Sequence, residues 1–228
     1  MIKSEIKEEL LSENFKFLRA NLHFIEKKEK QIVIVTSTIP EEGKSSVVYN
    51  YGKSEAVGGR QVLIIDCDVR RPKAHKNFGI KPQKGLANVL RGEITLEEAI
   101  VKDLESNLDL LPAQQFTENV TDVFMDKSIG QHLESLKKTY DLIILDTAPL
   151  TVATDALILS AYGDGIIYVV GYDMVSRSEL EEAKKLIDKS GANLYGIVIN
   201  RVDKKGYAGG ECGYYDYSHK YFTDYIKG

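Results

Sequence analysis

The eight residues from Thr38 to Ser45 read Thr-Ile-Pro-Glu-Glu-Gly-Lys-Ser. Gly43, Lys44 and Ser45 fill the last three places of GxxxxGK(S/T). In that loop backbone N–H groups wrap phosphate oxygens, the lysine reaches the β- and γ-phosphates, and the hydroxyl ligates Mg²⁺. Thr38 stands where the first glycine is usual. A lone Gly-Lys-Ser is a weak signal. This one follows the apolar, β-branched run Ile32–Val35 and precedes a helix-compatible stretch from Ser45. A helix N-terminus there adds free N–H donors and a positive dipole end. Glu42, Gly43, Lys44, Ser45 and Ser46 are therefore the candidate nucleotide contacts of the loop.

Phosphoryl chemistry also needs carboxylates to hold Mg²⁺, or its waters, beside the phosphates. Leu63–Ile65 leads into Asp66 and, two residues later, Asp68; Leu142–Leu145 leads into Asp146 as a Walker B strand would. Spaced by two on an extended chain, Asp66 and Asp68 face the same side. A single acid after a buried strand is often only a helix cap or turn former. Three of them, in a chain that also has Gly-Lys-Ser, argue together for a Mg²⁺–phosphate site. Asp155, after Thr154, reads as the N-cap of the next helix, and Asp164, between two glycines, as a turn residue.

These groups must be held by a scaffold, and the apolar pattern supplies one. Runs at Ile32–Val35, Val62–Ile65, Leu142–Leu145, Ile166–Val170 and Ile197–Ile199 read as strands buried on both faces, with Leu108–Leu111 as a further strand. Helical patterns lie at about 45–57, 129–138, 155–161 and 177–189, and an amphipathic helix runs from about Ile6 to Ile25. Residues 71–131 are broken by glycine and proline into short helices and loops. Short apolar strands joined by helical crossovers predict an α/β fold with a doubly wound, mostly parallel sheet. In such folds ligands collect at the carboxyl ends of the strands, where Asp66, Asp68 and Asp146 are expected to meet the loop. Residues 1–205 read as one unit, and 206–228 as a flexible terminus.

Composition excludes several classes. At 228 residues, 43% hydrophobic and 28% charged, the chain suits one globular domain. A net charge of −4 argues against a broad nucleic-acid-binding surface. Cys67 and Cys212 form no disulfide framework and suit a reducing cytoplasm. The histidines His23, His75, His132 and His219 are scattered, which gives zinc little support. No apolar run reaches the ~20 residues of a membrane span, so membrane association is expected to come through a partner.

The phosphate loop, the acidic motif hhhDxDxR at Leu63–Arg70 and the Walker B acid Asp146 together resemble the bacterial protein tyrosine kinases, in particular the cytoplasmic type of capsular or exopolysaccharide biosynthesis. These kinases are P-loop NTPases of the MinD/ParA-like group. The resemblance extends to Glu13, Lys16 and Arg19, which match the family's N-terminal oligomerisation helix, and to a C-terminal tyrosine cluster, and so covers nearly the whole chain. It implies that Lys44 binds the β- and γ-phosphates and that Ser45, Asp68 and Asp146 hold Mg²⁺. It also implies that Asp66 orients or deprotonates the acceptor tyrosine, with Lys44, Asp66, Asp68 and Asp146 as the catalytic set. Arg70 is a candidate phosphate contact or a structural salt bridge, and Asn200 a candidate reader of the adenine edge. The chain departs from the family at Glu41, where glycine is usual, at Lys16, where arginine is usual, and at Ala148, which replaces a frequent proline.

Six of the thirteen tyrosines, Tyr207, Tyr214, Tyr215, Tyr217, Tyr221 and Tyr225, fall in the last 22 residues. They are the expected sites of autophosphorylation in trans, and multiple phosphates are expected to expel the tail from an acidic subunit. The family further implies ATP and Mg²⁺ as cofactors, a homo-oligomeric ring with eight subunits as one candidate size, and no nucleic acid. It implies a transmembrane modulator that recruits the chain to the inner face of the membrane, and a cognate tyrosine phosphatase. The rival reading is a MinD/ParA-like ATPase switch without kinase activity, but that group's early signature lysine is Ile39 here. An adaptor that binds nucleotide without catalysis is the third.

Overall fold

Side-chain alternation along the strands decides the architecture. In the computed structural model, residues 2–25, 29, 31–116 and 120–202 are described. Along β1 (Gln31–Ser37), Ile32 and Ile34 enter one core while Val33 and Val35 enter another. The same split recurs in β2 (Val62–Asp66), β5 (Leu142–Asp146) and β6 (Gly165–Gly171). Continuous apolar runs thus become a sheet covered on both faces. One face carries α1 (Ile2–Ile25), α2 (Lys44–Val57) and α3 (Ala74–Asn77). The other carries α4 (Leu86–Leu90), α5 (Leu96–Ala99), α6 (Val120–Met125), α7 (Lys127–Leu136), α8 (Asp155–Leu159) and α9 (Arg177–Ser190).

With β3 (Val101–Glu105), β4 (Leu108–Leu111) and β7 (Leu194–Asn200), the sheet has seven strands in the order β3-β4-β2-β5-β1-β6-β7. All neighbours are parallel except β3 with β4. The doubly wound, mostly parallel expectation holds. Two details differ. The polar strand β3 lacks an apolar run and its Asp103 takes a positive φ of 55°, so periodicity did not reveal it. β7 is an edge strand, and its Ile197 and Ile199 are exposed rather than buried on both faces.

The N-terminal helix is longer than its apolar pattern, starting at Ile2. Phe15, Leu18 and Leu22 pack it onto the α2 face of the sheet. Arg19 Nη1 donates to the Ser54 carbonyl in the last turn of α2, an oxygen that also accepts the Gly58 N–H at 3.1 Å, and there a cation meets the negative dipole end of the helix. His23 lies 3.2 Å from the buried carboxylate of Glu55, which also faces Arg60 at 3.6 Å. No helix among the described residues is long and apolar enough to cross a membrane. The six C-terminal tyrosines lie outside the described residues.

Candidate phosphate-binding site

In-register parallel pairing puts Asp66 beside Asp146 at the carboxyl ends of β2 and β5, with Val35 of β1 on the far side of Asp146. The chain leaves β1 through Thr38–Gly43 and enters α2 at Lys44. Left-handed backbone occurs in the loop at Glu41 (φ 72°) and Gly43 (φ 89°). Thr38 needs no such conformation, which is why a non-glycine is tolerated there. Gly43 is required twice over: a Cβ on it would lie 2.0 Å from Asn200 Nδ2, and the conformation itself disfavours other residues.

The loop is clamped from β6 and from the segment after β5. Thr38 Oγ1 hydrogen-bonds Tyr168 Oη, and the Thr38 carbonyl accepts from the Thr151 N–H at 3.1 Å and from Thr151 Oγ1 at 2.7 Å. Glu42 is wholly buried, and its carboxylate accepts from the Ile39 N–H at 2.8 Å and the Gly171 N–H at 2.9 Å. Its side chain braces the loop, each carboxylate oxygen being engaged by a backbone N–H. Asn200 Nδ2 donates to the Glu42 carbonyl at 2.8 Å; this bond props the loop and uses one of the two N–H donors of the amide.

Lys44 is the charge centre. It is 8% exposed and its Nζ donates to Asp146 Oδ1 at 3.0 Å. Burial works against the ammonium, but Asp146, followed by Asp68 and Asp66, outweighs it and raises the lysine pKa above its ordinary value. Asp66 is fully buried. Burial and the neighbouring Asp146 push its pKa up to about 8, against the pull of the backbone donors. Its Oδ1 accepts from the Asp68 N–H at 3.1 Å, and its Oδ2 from the N–H groups of Lys73 and Ala74 at 3.1 and 3.0 Å. Asp66 therefore builds the loop after β2 and is covered by it. Asp68 is half-buried, and its Oδ1 accepts from the Arg71 N–H at 3.1 Å. Burial raises its pKa while Lys44 opposes the rise.

Ser45 and Ser46 occupy the first turn of α2. That turn carries no acidic side chain, and its N-cap Gly43 makes no side-chain capping bond. The N–H groups of this 14-residue helix are thus left for an anion. Two carboxylates and a hydroxyl around a buried lysine, facing those donors, fit a phosphate chain with a divalent cation. Mg²⁺ is commonly held by one or two carboxylates together with phosphate oxygens, so a closed all-protein cage is not required.

Arg70 does not turn toward this position. Its Nη2 meets Asp155 Oδ1 at 3.2 Å, the structural salt bridge of the two alternatives. Asp155 is correspondingly not an N-cap: Thr154 holds that place without a side-chain bond. Asp164 accepts the Ile32 N–H at 2.9 Å, tying the turn before β6 to β1. Of the N-terminal set, Arg19 faces its own α2, while Glu13 and Lys16 pair with each other. Pattern reading missed Tyr168, Thr151, Lys73 and Asn77. Tyr168 had one available signal, a polar handle inside an otherwise apolar strand.

The AAA domain family matches residues 30–190. The tyrosine-protein kinase YwqD of Bacillus subtilis is 30% identical over 90% of this chain and 86% of its own length. The tyrosine-protein kinase wzc of Salmonella typhimurium is 26% identical over 93% of this chain, which spans only 30% of that longer relative. Among solved structures, the chimerical protein CapA2B2 superposes with a TM-score of 0.80 at 30% identity, covering 84% of this chain and 85% of the other. The septum site-determining protein MinD of Pyrococcus horikoshii, complexed with Mg-ADP, gives 0.66 at 25% identity over 77% and 72%.

Proposed function

The chain belongs to the bacterial tyrosine-protein kinases, and on that premise we propose that it transfers the γ-phosphoryl group of ATP to tyrosine hydroxyls. The acceptors are the C-terminal tyrosines of a second copy, within a system for capsular or exopolysaccharide synthesis. The observation that carries this reading is Lys44, buried and held at 3.0 Å from Asp146 at the uncapped start of α2. An ammonium already ordered among carboxylates needs little reorganisation to meet phosphate charge, and such preorganisation is the main source of electrostatic catalysis.

In this reading the N–H groups at residues 43–46 and the Lys44 ammonium bind the phosphates. Ser45, Asp68 and Asp146 would hold Mg²⁺, which supplies charge neutralisation on the phosphate oxygens. Asp68 is the carboxylate open to an incoming acceptor, because Asp66 is enclosed by its own backbone bonds. The tyrosine oxygen forms the new bond to phosphorus as the bond to ADP breaks, and the hydroxyl proton passes to Asp68 and then to water. Asp66 acts through Asp68, by shaping the loop that carries it.

Residues 1–205 form the kinase unit and 206–228 the acceptor tail. An extended tail of this length spans on the order of 70 Å, against a radius of gyration near ~17 Å for a domain of this size, so a neighbour's site is within reach. The outer face of α1 carries Phe17, 67% exposed, and Phe24, 88% exposed, alongside the Glu13–Lys16 pair. That apolar surface supports assembly with further copies in a ring. A transmembrane modulator and a cognate phosphatase complete the proposed partners.

The test is incubation of the full chain with Mg²⁺ and ATP, followed by mass spectrometry of tyrosine phosphorylation. Phosphate on the tail, lost in Lys44→Met, is the expected result. Free phosphate release without phosphotyrosine identifies a MinD-like switch, and neither product identifies an adaptor.

A further inference from the structure

Lys73 reaches both walls of the phosphate site, although it lies beyond the acidic motif that ends at Arg70. Its backbone belongs to the loop after β2. The Lys73 N–H donates to Asp66 Oδ2 at 3.1 Å, and the Ala74 N–H to the same oxygen at 3.0 Å. α3, which begins one residue later, is tied to the start of α2, where Asn77 Nδ2 donates to the Ser45 carbonyl at 3.0 Å. The backbone of Lys73 is therefore fixed between the end of β2 and the phosphate loop. Its side chain crosses to that loop: the ammonium lies 3.7 Å from Glu41, with 48% of the lysine side chain and 71% of the glutamate exposed. The same ammonium acts on Asp68, the carboxylate open to an incoming acceptor. There it joins the stronger effect of Lys44 in opposing the rise that burial gives the Asp68 pKa.

A lysine beside a surface glutamate is ordinarily idle, and a pair this long and this exposed contributes little to stability. Its surroundings set this one apart. Glu41 holds a left-handed backbone, φ 72°, which a non-glycine residue adopts at a cost, and it adds negative charge to a loop built to receive phosphates. Two neighbouring cations are firmly committed: Lys44 to Asp146 at 3.0 Å and Arg70 to Asp155 at 3.2 Å. The Lys73–Glu41 pair is weak by comparison. A phosphate carries more charge than one carboxylate, so it can take the ammonium from Glu41.

We propose that Lys73 is a specificity-determining residue of this site: it leaves Glu41 when a nucleoside triphosphate binds and pairs with the terminal phosphate, so that the site favours ATP over ADP. The inference rests on the phosphoryl-transfer reading above and adds one residue to it. The terminal phosphate must lie beside Asp68, because the acceptor hydroxyl attacks it there, and Lys73 already acts on that carboxylate. ADP lacks this phosphate, so in the ADP state Lys73 returns to Glu41 and product release is eased. The ammonium keeps its proton throughout, and its bonds to phosphate oxygens are of the strong, charge-assisted kind. A lysine stem is flexible, so the exchange needs no movement of the anchored backbone. Glu41 acts as the competitor that sets the size of the selectivity.

The experiment is isothermal titration of the full chain in Mg²⁺, with ADP and with an ATP analogue whose β,γ-bridge is methylene, so that nothing turns over. Lys73→Ala keeps the backbone N–H that Asp66 accepts and removes the ammonium. It should weaken the triphosphate about tenfold and ADP by less than about twofold. Lys73→Arg should hold both affinities within about threefold of the native chain, since the charge remains. Glu41→Gln should tighten the triphosphate about threefold when Lys73 is present, and by less than about 1.5-fold in the Lys73→Ala chain. Equal losses for the two nucleotides in Lys73→Ala, or no loss, overturn the proposal. So does a Glu41→Gln gain of the same size with and without Lys73. A selective loss in Lys73→Ala, with no phosphotyrosine formed by the native chain and ATP, would sink the kinase reading alone. Normal phosphotyrosine in the native chain, with unchanged nucleotide selectivity in Lys73→Ala, would sink the role of Lys73 alone.

Discussion

Glu42 offers a direct way to separate a nucleotide ligand from a structural brace. The substitution is Glu42→Gln, which keeps size and shape. In the native loop the two carboxylate oxygens accept from Ile39 and Gly171 at 2.8 and 2.9 Å, in a side chain with no solvent exposure. Glutamine retains one acceptor oxygen and presents an NH₂ group to the other N–H. One charge-assisted bond becomes neutral, a loss of roughly 1 kcal/mol, and one backbone donor is left buried without a partner, a cost of about 1–3 kcal/mol. Removing a buried charge returns part of this, leaving a net loss of roughly 2 kcal/mol. For a chain of 150–250 residues that lowers Tm by about 4–8 °C. Differential scanning calorimetry of the nucleotide-free protein gives the shift, and isothermal titration gives the ATP affinity of the same sample. The reasoning fails if Tm is unchanged while ATP binding is lost, since that pattern belongs to a side chain that touches the nucleotide.

Glu41→Gly should stabilise the chain by up to about 1 kcal/mol and tighten ATP binding. Relief of a left-handed glutamate, worth ~1–2 kcal/mol, exceeds the unfolded-state entropy of glycine at ~0.4–1 kcal/mol and an exposed Lys73 pair of at most ~1 kcal/mol. Thermal unfolding and ATP titration check both, and a fall in each would show that the Lys73 contact outweighs the backbone strain. Asp66→Asn should reduce phosphorylation by loosening the Cys67–Ala74 loop, leaving the shape of the pH–rate profile intact; a lost ionisation in that profile would restore Asp66 as a proton acceptor. The same variant tests pH linkage. Burial and Asp146 place the folded Asp66 pKa, at about 8, above the unfolded ~3.9, so the folded chain holds the extra proton. This group's contribution to stability is present at low pH and is lost as pH rises from about 4 to 8. Chemical denaturation across that range should give a shallower decline for the asparagine variant.

Much of the scaffold was legible because burial on both faces leaves a plain trace. Strands such as Leu142–Asp146 consist of apolar residues up to the acid that ends them, and a central strand covered by helices on both sides is what satisfies such a run in an α/β chain. β3 and the exposed edge of β7 were not legible, since position in the sheet, and not composition, fixes how much of an edge strand is covered. The loop pattern likewise identified Gly43 and Lys44, whose roles depend on backbone and charge.

What the sequence determined by itself was the chemistry on offer: a phosphate loop, carboxylates at or just past two strand ends, and a cluster of tyrosines near the C-terminus. What only the tertiary structure decided was the division of labour among similar side chains. Glu42 and Asp66 are carboxylates like Asp68 and Asp146, yet Glu42 accepts from the N–H of its own loop and of distant Gly171, and Asp66 from the N–H groups of the loop that follows it. Arg70 is spent on Asp155, and Arg19 on the end of α2. The partners of Glu42, Arg70 and Arg19 that lie far off in the chain are set by strand order and register, and those of Asp66 by the way its loop folds back, neither of which a local pattern contains. The same folding back carries the Lys73 ammonium across to Glu41 in the phosphate loop.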